Sequence, residues 1–160
     1  MDRCHNFRGF TLIELLVTVT IVAILSVIAL PMAELVVKRN QEQELRTALW
    51  QIRGAIDLYK QATDSGRIAK DVGESGYPHT LDDLAQGVDD IKDPKKAKIY
   101  FLRRLPRDPL VSDPGMSAAQ TWGKRSYASP PDEPSEGEDV YDVYPLSNGT
   151  GLNGILYRQW

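Results

Sequence analysis

Glu14 poses the first chemical question. It is the one side chain able to carry a charge in the twenty-one residues from Phe10 to Leu30, FTLIELLVTVTIVAILSVIAL. A carboxylate in such a run costs several kcal/mol in lipid unless it is neutralised or paired. The sequence places no cation beside it: Arg8 lies six residues earlier, and the next cation is Lys38. Hydrolysis of the Gly9–Phe10 peptide bond would create a new ammonium on Phe10, about one helical turn from Glu14. Within one chain that ammonium is an awkward partner. The same group on a neighbouring copy, displaced along a helical stack, reaches the carboxylate. Glu14 would then set the register between subunits.

The element that must carry Glu14 is a helix. Twenty-one residues at the helical rise span roughly 30 Å, enough to cross the hydrocarbon core of a bilayer. The helix need not stop there. Beyond Pro31 the residues favour helix, and Leu45, Leu49, Ile52, Ile56 and Tyr59 recur at steps of four, three, four and three, which puts them on one face. That stripe is the face on which a folded head packs, with Trp50 in the core or at the stripe's edge. A helix from Phe10 to about Ala62 would be roughly 80 Å long. Pro31 removes the hydrogen bond to Val27 and predicts a kink. Asp64-Ser65-Gly66 then ends the helix with turn chemistry.

The stretch Gly9-Phe10-Thr11-Leu12-Ile13-Glu14-Leu15, with Pro31 downstream, resembles the class III signal of type IV pilins and type II secretion pseudopilins. The resemblance implies that a prepilin peptidase cuts after Gly9 and N-methylates Phe10. It implies that Glu14 pairs with the amino terminus of an adjacent subunit, and that the turns before Pro31 unwind when subunits assemble. It implies an α+β pilin-like fold: a long amino-terminal helix, half transmembrane and half amphipathic, packed on a small carboxy-terminal antiparallel sheet. The chain then divides into a leader (1–9), a transmembrane and assembly helix (10–30) and a periplasmic head (31–160) that includes the second half of the helix. Two other readings explain less. A secretory signal peptide cut near Val27-Ile28-Ala29 would have an unusually long apolar core. A plain membrane anchor accounts for neither Gly9 before Phe10 nor the carboxylate of Glu14.

Composition narrows the classes further. The chain has 160 residues, with 19 basic and 22 acidic side chains. Loss of the leader removes Arg3, Arg8 and Asp2, so the mature chain is mildly acidic, which argues against nucleic acid as a general partner. Cys4 is the one cysteine and lies in the leader, ahead of the apolar run, where no lipoprotein cysteine would sit. A mature chain without cysteine forms no disulfide, unlike many type IV pilins, and so leans toward the pseudopilins. Arg3 and Arg8 precede the span, which orients the amino terminus to the cytoplasm and the head to the periplasm.

The head offers a few further candidates. In Tyr77-Pro78-His79-Thr80-Leu81-Asp82-Asp83-Leu84, Thr80 is expected to cap a short helix that turns Leu81, Leu84 and Ala85 inward. His79 reads as a solvent-facing turn residue. Residues 89–98 carry both charge signs and read as a solvated loop, followed by a strand at Ile99-Tyr100-Phe101-Leu102. In Leu105-Pro106-Arg107-Asp108-Pro109, two prolines bracket an aspartate whose carboxylate suits a rigid turn. This segment and Tyr77-Pro78 also resemble pseudopilin patterns. Arg103, Arg104 and Arg107 suit surface or intersubunit ion pairs better than an anion site. Strands are expected at 121–128 and 140–144, separated by the acidic loop 129–139. Trp160 is expected to pack back on the sheet and pin the end.

Many major pseudopilins bind calcium in the carboxy-terminal loop through aspartates. Here no Asp or Glu occurs between Leu146 and Trp160. Hard cations need several oxygen ligands, commonly carboxylates, so the expectation is no cofactor, with Asn148, Asn153 and backbone bonds holding the loop. No Ser-His-Asp arrangement, metal spacing or phosphate loop is present, so no enzyme is expected. The sequence is identified as a structural subunit of a periplasmic pseudopilus in a type II secretion machine. Its expected partners are further copies in a helical homo-oligomer, the prepilin peptidase, the inner-membrane assembly platform and minor pseudopilins. A surface type IV pilin for adhesion, motility or DNA uptake is the alternative; a membrane-anchored periplasmic enzyme or binding module is an alternative of another class.

Overall fold

A computed structural model describes residues 9–160; within it, residues 28–31 are described by their helical backbone alone. The leader's first eight residues therefore lie outside the described residues. Helix α1 runs Leu12–Asp64, and the chain divides into two compact units at Arg39/Asn40. The helix continues through Pro31, but the side-chain surroundings of Pro31 are outside the described residues.

The end of α1 is written locally. Gly66 takes the left-handed conformation (φ 72°), its N–H bonds Thr63 O at 2.8 Å, and Arg67 N–H bonds Ala62 O at 2.9 Å. This is the Schellman arrangement, which satisfies the last carbonyls and favours glycine at this position.

Within residues 40–160 the predicted stripe is the core. Leu45, Leu49, Ile52, Ile56 and Tyr59 are all buried and cluster with Leu81, Leu84, Trp122, Val140, Val143 and Tyr157. Trp50 is 79% exposed, so it belongs neither to the core nor to a half-covered stripe edge. One residue beyond Leu49 is about 100° around the helix, far enough to turn a large ring to solvent.

Helix α2, Asp83–Gln86, buries Leu84, and Leu81 is buried just before it. Thr80 is not its cap. Asp82 takes that position, and the Asp83 carboxylate accepts the Thr80 N–H at 2.8 Å. Ala85 is only half-buried.

Two short antiparallel sheets follow. Strand β1, Val88–Asp89, pairs with β2, Lys98–Ile99, in the register Val88↔Ile99. The stretch 89–98 is therefore flanked by a paired ladder and is not wholly a solvated loop, and the second strand ends at Ile99. Strand β3, Trp122–Arg125, pairs with β4, Asp142–Pro145, Gly123 standing opposite Tyr144. A side chain at Gly123 would come within 2.3 Å of the Tyr144 ring, so the glycine lets that ring lie across the sheet. Residues Ala118–Thr121, at the edge of the expected strand, form a 3-10 turn. The whole is the α+β pilin-like arrangement, a long helix with small antiparallel sheets.

Candidate functional site

The amino-terminal half of α1 is built to leave one group unsatisfied. From Phe10 to Val27 the large apolar side chains are 48–82% exposed, and this helix is long and apolar enough to cross a membrane. Its hydroxyls turn back on the helix. Thr18 Oγ1 donates to Leu15 O at 2.9 Å, Thr20 Oγ1 to Leu16 O at 2.7 Å and Ser26 Oγ to Val22 O at 2.8 Å. Such bonds make polar side chains tolerable in lipid.

Glu14 is the exception. Thr11 Oγ1 accepts the Glu14 N–H at 3.3 Å, so Thr11 caps the helix just before its first residue, Leu12. Thr11-x-x-Glu14 is the sequence signature of a capping box, a reading of these two residues that the pairing argument for Glu14 passed over. The bond uses the backbone of Glu14 and leaves its carboxylate exposed. Among the described residues no cation lies within ion-pair distance of it. A side-chain carbon added at Gly9 would meet nothing within 4 Å among the described residues, and Phe10 is 82% exposed.

In the head, two charged residues of α1 hold the chain's carboxy-terminal part. Arg53 Nε donates to Asp142 Oδ1 at 2.7 Å, Nη1 to Trp160 O at 2.9 Å and Nη2 to Val143 O at 3.1 Å. Glu42 Oε1 accepts the Leu152 N–H at 2.7 Å and the Tyr157 O–H at 3.0 Å. Trp160 packs edge-on to Tyr157, with the Arg46 guanidinium 4.4 Å over its ring. The terminal tryptophan is pinned as expected, but largely by α1. The roles of Glu42 and Arg53 were not legible in the sequence, because their partners lie 89 to 115 residues away. A weak signal existed for Arg53, a cation adjoining Ile52 of the apolar stripe.

The remaining candidates resolve into structural roles. Asp108 is 1% exposed; its Oδ1 accepts the Leu110 N–H at 2.8 Å, while Oδ2 is buried without a hydrogen-bond partner. Burial pushes this carboxyl above the ordinary value despite the Leu110 bond. His79 is exposed, with Nδ1 3.0 Å from Glu138 O and Nε2 3.5 Å from Glu74 Oε1. The Glu138 carbonyl, helped by the carboxylates of Glu74, Asp83 and Asp139, raises its pKa against the opposing effect of burial. Arg107 donates to the carbonyls of Met116 and, at 2.7 Å, Asp113, bracing its own loop, while Arg103 and Arg104 face solvent.

In the carboxy-terminal loop the side-chain oxygens already accept backbone N–H groups. Asn153 Oδ1 accepts the Ile155 N–H at 3.1 Å and Ser147 Oγ the Gly149 N–H at 3.2 Å. The carboxylate that reaches the loop, Glu42, meets hydrogen-bond donors there and not further oxygens. Among the described residues no group of three His, Cys, Asp or Glu side chains is placed to hold a metal.

Comparison with known proteins adds an independent line. A family described as "Prokaryotic N-terminal methylation motif" matches residues 4–30. The chain is 30% identical to the Type II secretion system core protein G of Klebsiella pneumoniae over 110 residues, 66% of this chain and 71% of that protein. It is 28% identical to the protein of the same name from Klebsiella michiganensis over 115 residues, 69% of this chain and 73% of the relative. With the one from Dickeya chrysanthemi it shares 24% identity over 152 residues, 92% of each chain. No solved structure matches significantly.

Proposed function

This chain belongs to the family of the type II secretion system core protein G, the major pseudopilins, and from that premise we propose how its residues build a filament. It is a structural, membrane-anchored, pilus-like subunit of a protein secretion machine. In the proposed cycle it enters the inner membrane with its amino terminus in the cytoplasm and its head in the periplasm. The prepilin peptidase cuts between Gly9 and Phe10 and methylates the new Phe10 amine. Each subunit is then drawn onto the growing pseudopilus, where its Glu14 carboxylate meets the Phe10 ammonium of a neighbour. Pro31 marks where α1 loses a backbone bond and yields as subunits pack. The lengthening rod, nucleated by minor pseudopilins on the assembly platform, drives folded proteins outward. Leaving lipid for the filament core keeps the apolar half of α1 out of water throughout.

One observation supports this most strongly. In a helix half whose hydroxyls bond internally, Glu14 presents a charge with no ion-pair partner among the described residues, on an exposed apolar surface. Such a group calls for a partner outside its own chain. A surface fibre is less favoured, since the relatives are named for the secretion machine.

The test is intact-mass and amino-terminal analysis of membrane-extracted protein from cells with a prepilin peptidase, comparing the wild type with Gly9→Ala and Glu14→Leu. The expected result is a mature chain starting at N-methylated Phe10, lost in Gly9→Ala, with Glu14→Leu processed but absent from filaments. An uncut wild-type chain, or one starting near Leu30, overturns the reading.

A further inference from the structure

We propose that Glu42 and Tyr157 form a metal-free clasp that positions the carboxy-terminal loop 147–156, doing there what calcium does in the loops of many major pseudopilins. The inference concerns residues 40–160 alone and does not depend on how subunits assemble.

The geometry is that of an anion receiving donors. Glu42 is 6% exposed, yet it is an acid on the helix that forms the core. Its Oε1 takes the Leu152 N–H from the middle of the loop at 2.7 Å and the Tyr157 O–H from the loop's far end at 3.0 Å. Bonds to an ionised acceptor are about twice as strong as neutral ones, and a buried carboxylate requires them. Between these two points the loop closes on itself. Tyr157 N–H bonds Gly149 O at 3.0 Å, Gly151 N–H bonds Ile155 O at 2.9 Å, and Thr150 bridges to Leu156.

A calcium ion would need six or more oxygens around a cavity. Here the space is filled. A side-chain carbon added at Gly151 would lie 2.5 Å from the Trp160 ring, and the Asn153 and Ser147 oxygens already accept N–H groups. Burial and the Glu42 carboxylate push the Tyr157 phenol up to about 12, so it remains a donor throughout the physiological range. The loop therefore needs a carboxylate on α1 and no cation.

The experiment uses the full chain purified in detergent, with calcium chloride and a chelator as probes. Thermal melting and limited proteolysis of the loop are followed in wild type, Glu42→Ala, Glu42→Gln, Tyr157→Phe and the Glu42→Ala/Tyr157→Phe double variant. Wild-type melting and cleavage should be unchanged between chelator and millimolar calcium, the weak end of extracellular calcium sites. Tyr157→Phe should lower Tm by roughly 3–5 °C, the shift expected for one lost hydrogen bond in a domain of this size. Glu42→Ala should lower Tm further and expose the loop to protease, and Glu42→Gln, which keeps an acceptor oxygen, should restore much of the protection. The double variant should fall short of the sum of the singles, because both remove the same bond. A saturable calcium-dependent rise in wild-type Tm, reversed by chelator, overturns the proposal, as does full additivity in the double variant. Should Glu42→Ala not fold, Tyr157→Phe and the wild-type calcium titration still decide it.

Discussion

One helix supplies two surfaces governed by different solvents. Between Phe10 and Val27 its apolar side chains lie open on every side, whereas between Leu45 and Tyr59 a single stripe is buried and the opposite face, including Trp50, is wet. The first half is uniformly apolar, long enough and apolar enough to cross a membrane; the second is amphipathic because its own head covers one side. The polar groups divide in the same way. In the first half the hydroxyls bond within the helix and, among the described residues, one carboxylate has no ion-pair partner, while in the second Glu42 and Arg53 meet partners from the chain's far end. A charge that closes a fold is one the chain itself satisfies; among the described residues Glu14 is not satisfied in that way.

The contrast breaks most readily at the core stripe. Ile52→Ala should destabilise the head by about 2–5 kcal/mol, since a fully buried isoleucine leaves both lost transfer energy and a cavity. Ile21→Ala, at a position 51% exposed, should leave the head's melting transition in detergent where it was. Equal losses in calorimetry would mean that the two halves are not solvated differently.

Arg53→Met sharpens the comparison by removing the head's charged closure while keeping an apolar stem against the helix. The loss of bonds to Asp142, Trp160 O and Val143 O should cost about 2 kcal/mol in chemical denaturation, as is usual when a charge-assisted network is truncated. A neutral outcome would reduce Arg53 to a surface charge.

The smallest effect separates two carboxylates by sign. Burial pushes Asp139 up, but bonds from Ser126 Oγ, Ser75 Oγ and the Tyr127 N–H, with His79 nearby, outweigh it and hold the group below its ordinary value of 3.8. Its stabilisation is present above the unfolded-state value and is lost as pH falls through the folded one. Asp108, raised mainly by burial, favours folding below the unfolded value and loses that contribution as pH rises through the folded one. In melting curves taken from about pH 6 to about pH 3, Asp139→Asn should flatten the acid loss of stability and Asp108→Asn should steepen it. Shifts of the same sign in both variants would show that the two sites do not differ as described.

The pattern of success along the chain follows interaction range. The helix, its buried stripe and its stop at Gly66 were legible because each rests on residues within a few turns of one another. The pairing of Val88-Asp89 with Lys98-Ile99 was not, since two-residue strands carry no alternation. The cap at Thr80 was misjudged because residues 80–83 close a turn of their own, Asp83 N–H bonding Thr80 O, and the helix starts only after Asp82.

The sequence by itself determined a long helix with a solitary charge near its start, an apolar half and an amphipathic half, and a small head after it, because hydrophobic period, capping and turn chemistry act locally. Tertiary structure alone decided which acidic and basic residues hold that head together. Glu42, Arg53 and Asp139 look in the sequence like any surface charges. They become structural because folding brings donors and acceptors from 12 to 115 residues away into a partly dehydrated space, where an unpaired charge is costly and a paired one fixes the loop.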